Sequence, residues 1–207
     1  MPAIQILSIS EPLSVDPAVG SAAARLISRI HYFGLLPGLE GPLELDRALL
    51  LLAFTKLSEA GVGQKSRLLL QRASGPDDYL TLLDAALEQT EQSPLPTSEW
   101  APLIETLGEG LLADLVGISP SSLRRYATGT RTTPDQVATQ LHYLALLIAD
   151  LSGAYNDYGI RRWFDRPRAR LDGRSPRDLL GTSFDADSGD TQRLRDLAAG
   201  LVGAGAT

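Results

Sequence analysis

The 207-residue chain has no cysteine, which removes disulfides and thiolate metal sites and leaves the redox compartment unreported. No apolar run approaches a membrane span, and the start lacks the basic segment and apolar core of a secretory signal. A cytoplasmic protein with no membrane partner is expected. Histidine is scarce: His31 has no second ligand or nucleophile among its chain neighbours and reads as a buried, hydrogen-bonded or surface side chain, and His142 reads as a packed or capped one. A positive balance is missing too. The formal net charge of -6 argues against a surface that tracks nucleic acid throughout, because phosphate attraction is the main non-specific term.

What is present is a 43% hydrophobic chain of ordinary globular composition, long enough for one sizeable core or two small ones. The charge is unevenly placed. Residues 1–100 hold 7 basic and 12 acidic side chains, residues 101–160 hold 3 and 6, and residues 161–207 hold 9 and 7.

The most informative stretch runs from Gly110 to Thr133, GLLADLVGISPSSLRRYATGTRTT. Leu111, Leu112, Leu115 and Val116 recur at helical spacing, and Gly117 is suited to the left-handed backbone that ends a helix. Ser119 then offers a cap and Pro120 the first position of a second helix, which Gly129 stops. Leu123 and Tyr126 share a face that closes a core with Leu115 and Ile118, leaving Ser121, Ser122, Arg124 and Arg125 outside. Two short helices with a tight turn make a helix-turn-helix, whose second helix is the candidate reader of a major groove. Ser121 and Arg125 are the base-facing candidates and Arg124 and Arg131 the backbone-facing ones, since a guanidinium forks onto guanine or onto phosphate. Ser122 belongs to the same face. The stretch resembles the helix-turn-helix of Xre-type phage and bacterial repressors, in which a small residue such as Ala113 lets the helices cross closely.

Ahead of this, Ile4, Ile6, Leu7 and Ile9 alternate briefly as a strand would, but with no evident partner they read as an extended arm. A helix over Val19–Phe33 places Ala22, Ala23, Leu26, Ile27 and Ile30 inside, with Arg25 and Arg29 on its wet side. A second helix is predicted over Leu43–Ala60, with Leu45, Leu49, Leu52, Phe54 and Leu57 in the core. GVGQKS at 61–66 has the wrong spacing for a phosphate loop. Residues 67–72 are ambiguous between helix and strand. Pro76 with Asp77 and Asp78 opens a third helix through Leu80, Leu83 and Leu87, where the acidic residues suit the helix dipole and lack calcium-loop spacing. Residues 92–100 read as a linker, and Trp100, Leu103, Ile104 and Leu107 as a helix packed on the helix-turn-helix. After it, Thr133 is read as the cap and Pro134 as the first residue of a long helix carrying Val137, Leu141, Leu144 and Leu151.

Residues 161–180, RRWFDRPRARLDGRSPRDLL, read as a short helix, a basic loop and another short helix. The arginines are interleaved with Asp165 and Asp172, so they fit an acidic protein or internal charge pairs as well as nucleic acid. Trp163, Pro167, Leu171, Gly173, Pro176 and Leu179-Leu180 follow the pattern W-x3-P-x3-L-x-G-x2-P-x2-LL. This resembles the C-terminal toxin-binding domain of the Xre/MbcA/ParS-like antitoxins, which follows an Xre-like helix-turn-helix in that family, as it does here. The similarity covers roughly residues 97 to 200. Phe164 stands where a leucine is usual and Arg168 where an asparagine is expected.

The resemblance implies an all-α protein: an N-terminal helical region of unassigned role at 1–96, an Xre-like helix-turn-helix domain at 97–152, and a toxin-binding domain and tail at 153–207. It implies an antitoxin that covers the active site of a cognate toxin, of the NAD-consuming RES type, and represses the shared operon. The partners would be the toxin and operator DNA, bound as a homodimer or within a larger toxin–antitoxin complex. Trp163, Pro167, Leu171, Gly173 and Pro176 would build the binding domain, while Arg166, Arg168, Arg170, Arg174 and the tail beyond Gly181 would meet the toxin. The terminal GLVGAGAT reads as weakly structured, and the helix at 191–201 as one that orders on a partner or has no task. No metal or other cofactor and no catalysis are implied, since no nucleophile, base and orienter are assembled. Two alternatives stay open: a stand-alone helix-turn-helix regulator, and a protein-binding adaptor whose helix-turn-helix is only scaffold.

Overall fold

The computed structural model describes residues 4–39, 41–181 and 184–204. Among them, eleven α-helices, one 3₁₀ turn and one two-stranded sheet make up the regular structure, so the chain is almost entirely helical. No described helix is long and apolar enough to cross a membrane. The chain divides into two compact units, Pro2–Pro94 and Leu95–Thr207. The segments 97–152 and 153–207, assigned to separate domains above, both lie in the second.

In the first unit, β1 (Gln5–Ile9) pairs in parallel with β2 (Pro42–Leu45), from Gln5 opposite Pro42 to Ile9 opposite Leu45. The N-terminal stretch is therefore a strand rather than a free arm. Parallel strands need a long crossover, supplied by α1 (Pro17–Tyr32), and a proline is tolerated as the first residue of an edge strand. Asp16 caps α1 by accepting a hydrogen bond from the Ala18 N–H at 2.7 Å. Gly20 sits inside this helix because a Cβ there would come 3.1 Å from Ile9 Cδ1 and 3.4 Å from the Leu13 carbonyl oxygen. Val19, Ala23, Leu26, Ile27 and Ile30 are fully buried along one stripe.

The second helix, α2 (Arg47–Glu59), starts later than the predicted Leu43, because Asp46 accepts from the Leu49 N–H at 2.7 Å and fixes the cap there. Leu49, Phe54 and Leu57 are buried, but Leu52 turns away from the stripe and is 38% exposed, against expectation. Residues 66–72 resolve as helix α3 (Ser66–Arg72), followed by α4 (Pro76–Glu91).

Arg29, expected in solvent, is 1% exposed. Its Nη1 donates to the Leu87 carbonyl at 2.9 Å and to Thr90 Oγ1 at 3.2 Å, and its Nη2 donates to Glu91 Oε1 at 2.7 Å. All three acceptors lie near the C-terminus of α4, where the helix dipole favours a cation. The guanidinium thus joins α1 to α4. His31, also buried, stacks edge-on to Tyr32 at 5.0 Å, and burial pushes its imidazole down to about 4, so the ring packs uncharged at neutral pH.

The second unit runs α5 (Pro96–Leu107), α6 (Glu109–Val116), α7 (Pro120–Ala127), α8 (Asp135–Leu151), α9 (Asp157–Asp165), a 3₁₀ turn (Ala169–Leu171), α10 (Pro176–Leu179) and α11 (Gly189–Ala204). Helix α8 is buried at every position from Gln140 to Leu151 and packs on α5, α6 and α11. Its polar groups are answered one by one. Gln140 Nε2 donates to the carbonyls of Leu115 and Gly181 at 2.7 and 2.9 Å. His142 Nδ1 lies 2.5 Å from Glu99 Oε1, the Tyr143 hydroxyl donates to the Thr191 carbonyl at 2.8 Å, and Asp150 faces Arg195 Nε at 3.7 Å. Burial pushes the Tyr143 phenol up. The cap of α8 is Pro134 rather than Thr133, whose hydroxyl instead accepts from Trp100 Nε1 at 3.1 Å. Helix α5 begins at Pro96, which shortens the predicted linker. Helix α11 is packed on α8, with Thr191, Leu194 and Ala198 buried. It extends to Ala204 through most of the segment read as weakly structured, while residues 182–183 and 205–207 of the predicted tail lie outside the described residues.

Arg29→Ala is expected to cost about 2–5 kcal/mol, since it removes a large buried side chain and its hydrogen bonds to Thr90 and the Leu87 carbonyl. Glu91→Gln keeps an acceptor oxygen but takes the opposite charge from a guanidinium only 1% exposed, and should cost about 1–3 kcal/mol. Urea unfolding followed by far-ultraviolet circular dichroism checks both.

Candidate functional site

Two groups of candidate residues occupy the second unit, each held by local backbone chemistry. In the first, Gly117 adopts the left-handed conformation (φ 70°, ψ 32°) that terminates α6. Ser119 then caps α7 by accepting from the Ser122 N–H at 3.2 Å, with Pro120 at the first helical position. Leu112, Ala113, Leu115, Val116, Leu123 and Tyr126 are buried, and Trp100 stacks on Tyr126 with ring centroids 6.1 Å apart. This packing fixes which side of α7 faces out.

On that outer side Ser121, Arg124, Arg125 and Arg131 are exposed and Ser122 is half-buried. The Ser119 hydroxyl lies 3.0 Å from those of Ser121 and Ser122, gathering three hydroxyls at the start of α7. The arginines differ in their engagement. Arg124 bonds Glu109 Oε2 through Nε at 2.8 Å and Nη2 at 2.7 Å, and that hydrogen bond and charge raise its pKa further. Arg125 Nε donates to the Ser121 carbonyl at 3.2 Å, and among the described residues no carboxylate pairs with it. The Arg131 guanidinium lies 5.5 Å from the centroid of the Tyr126 ring, and its backbone N–H donates to the Arg125 carbonyl at 3.0 Å. Among the described residues, no carboxylate pairs with Arg125 or Arg131, while Arg124 is held by Glu109.

The second group is the tryptophan-to-leucine motif. Asn156 caps α9 by accepting from the Gly159 N–H at 2.9 Å, and Trp163 and Phe164 end that helix in the core, edge to face at 5.2 Å. Pro167 stays exposed and begins a loop closed on itself. The Leu171 and Gly173 N–H groups donate to the Arg168 carbonyl at 2.9 and 3.0 Å, and the Arg168 N–H donates to the Arg174 carbonyl at 3.0 Å. Asp172 and Gly173 both take positive φ, which is the reason a glycine serves at 173. Leu171 is fully buried. Ser175 and Asp178 form a reciprocal capping box at the start of α10, whose hydrogen bonds hold the Asp178 carboxyl below its usual range, and Pro176 is buried at the first helical position.

The four arginines read as partner contacts are not equivalent. Arg168 lies over the Trp163 ring, 4.8 Å from its centroid, and partial burial lowers its pKa. Arg174 Nη2 bonds Asp190 Oδ2 at 3.1 Å. Arg166 and Arg170 are exposed and have no ion pair among the described residues. Arg177, not singled out from the sequence, pairs with Asp165 at 3.2 Å and with Asp114, tying α10 to α9 and α6. Arg193 reaches Asp172 at 3.1 Å and Asp190 at 2.5 Å, so α11 is tied to the motif loop by charge as well as packing. Glu109 and Arg177 had no sequence signal, because their partners lie many residues away with no periodic relation. Among the described residues no three histidine or carboxylate side chains converge as metal ligands. No family model, curated protein or solved structure matches the chain.

Trp163→Ala and Leu171→Ala are expected to destabilise the protein by about 2–5 kcal/mol each, as large-to-small changes in a packed core do. Arg166→Ala and Arg170→Ala should stay within about 0.5 kcal/mol. Denaturant unfolding separates the two sets, and so separates residues that build this region from those free to meet something else.

Proposed function

We propose that the chain is an antitoxin with an Xre-like helix-turn-helix, which binds operator DNA through α7 and neutralises a cognate toxin through the region around the tryptophan-to-leucine motif. The observation that carries the DNA half is the exposed edge of α7. Ser121 and Arg125 lie one helical turn apart on a capped, core-anchored helix, with Arg131 beside them and, among the described residues, no carboxylate pairing either guanidinium. Such an edge suits a major groove, where arginine forks onto guanine and hydroxyls bond bases or phosphates. The toxin half rests on the motif pattern and on Arg166 and Arg170, which stay exposed beside a self-closed loop. As an antitoxin the protein acts by covering the toxin's active site, a steric task that asks for no catalysis, metal or cofactor from this chain. An RES-type, NAD-consuming toxin is the expected partner, and a cytoplasmic homodimer would set two α7 helices on half-sites about 34 Å apart.

Glu109 makes this reading quantitative. It holds Arg124 away from a phosphate and adds a negative charge at the same edge. In a mobility shift with the DNA upstream of the chain's own coding sequence, Arg125→Ala should weaken binding by about 1–3 kcal/mol, and Glu109→Gln should tighten it. Unchanged affinity in both variants would remove DNA binding from α7. Co-expression with the adjacent gene product tests the other half, with growth rescue and a stoichiometric complex expected. DNA binding without rescue would leave the stand-alone regulator. Rescue without DNA binding would leave a protein-binding adaptor in which α6 and α7 are scaffold.

A further inference from the structure

Residues 60–76 read AGVGQKSRLLLQRASGP and contain Lys65, Arg67 and Arg72 but no acidic residue, inside an N-terminal half that is otherwise acidic. Helix α3 lies in this stretch. Seven residues are too few for a helix to hold itself in water, so α3 depends on its contacts. Its inward side is Ser66 and Leu70, and Arg47 Nη2 donates to the Leu70 carbonyl at 3.1 Å. Leu68 and Leu69 are left 61% and 52% exposed.

The exposed side has an order to it. Lys65, Leu68, Leu69 and Arg72 fall at i, i+3, i+4 and i+7, which is one helical face with a cation at each end and leucines between. The two cations are two turns apart, about 10 Å along the axis. Lys65, Leu69 and Arg72 of this face line a groove of about 720 Å³ together with Thr81, Leu82, Ala85 and Gln89 of α4. Neither Lys65 nor Arg72 has an ion pair among the described residues. The groove's carboxylate, Asp78, is spent on the start of α4: its Oδ2 accepts from the Ser74 N–H at 3.0 Å, the Ser74 hydroxyl at 3.1 Å and the Gly75 N–H at 3.4 Å. The lining therefore carries two cations and this one ionised carboxylate around Leu69, Leu82 and Ala85, a net positive balance.

We infer that this groove docks an acidic amphipathic helix of a partner protein, with carboxylates two turns apart on Lys65 and Arg72 and aliphatic side chains between them against Leu69, Leu82 and Ala85. A helix is the occupant that repeats the groove's own spacing, since its residues at i, i+3, i+4 and i+7 also share a face. Complementary charge on Lys65 and Arg72 sets its register, and burial of the exposed Leu69 with Leu82 and Ala85 supplies the contact area. The inference is independent of the antitoxin reading and gives the first unit a task of its own.

A displayed library of random peptides, selected on the immobilised full chain and in parallel on the K65E/R72E chain, tests it. The wild type should enrich peptides with two Asp or Glu about seven residues apart around Leu, Ile or Met. Their affinity should fall about tenfold or more on K65E/R72E, which should instead enrich Lys or Arg at that spacing. L69E should weaken both. All three positions are exposed, and matched circular dichroism spectra verify the fold; K65Q/R72Q replaces the charge reversal if that variant unfolds. On binding, amide exchange should slow over residues 65–73 and 78–89. The inference is overturned by selected peptides without acidic enrichment, by affinity unchanged in both charge variants, by protection confined to the second unit, or by failure to select any peptide. Binding to phosphatidylglycerol vesicles that depends on Lys65 and Arg72, with no peptide selected, would reassign the groove to an anionic membrane surface.

Discussion

A helix buried on all sides must find a partner for every polar group along its length, and the second unit is arranged around that requirement on α8. An apolar helix would need only close packing. Gln140, His142, Tyr143 and Asp150 add directional demands, each answered by a different stretch of chain: α6 and the turn at Gly181, α5, and two points on α11. Leaving any of them unanswered costs more than the bond itself contributes, because a buried polar group without a partner keeps its full desolvation penalty. The polar groups of one helix thus fix where its neighbours lie.

That arrangement holds α5 and α6, on which α7 packs. The helix is short and would not persist alone, but its cap at Ser119 and the burial of Leu123 and Tyr126 against neighbouring aromatic and aliphatic side chains leave one orientation. Arg124 and Arg125 are neighbours in sequence yet differ in chemical availability, since the side chain of one pairs with Glu109 and that of the other donates to the Ser121 carbonyl. The same logic governs the motif loop, where Leu171 and Trp163 fix the fold and the arginines around them are left in unequal states of engagement.

Local chemistry was legible in the sequence and distant chemistry was not. Gly117, Ser119 and Pro120 announce the end of one helix and the start of the next because the groups they satisfy lie within four residues. Ser175, Pro176 and Gly173 do the same in the motif. Arg29 gave no such sign: its spacing on α1 suggested solvent, and its acceptors lie 58 to 62 residues on. The pairing of β1 with β2 was hidden for the same reason, its second strand lying beyond a helix in a segment marked by glycine and proline. Thr133 looked like a cap until Trp100, from another helix, claimed its hydroxyl. At the candidate site, the exposed arginines could be named from helical spacing, but which of them a carboxylate holds depended on Glu109, whose position follows only from the packed fold.

The placement of the two tryptophans has an optical consequence. Trp100 and Trp163 both belong to Leu95–Thr207, one hydrogen-bonded to Thr133 and stacked on Tyr126, the other lying under the Arg168 guanidinium. Intrinsic indole emission excited at the red edge therefore reports on that unit alone and is blind to Pro2–Pro94, whose aromatic chromophores are the phenols and phenyl rings around Tyr32, Phe33, Phe54 and Tyr79. The chain carries a natural spectroscopic label on one half and none on the other, so the two halves can be followed separately without attaching a dye.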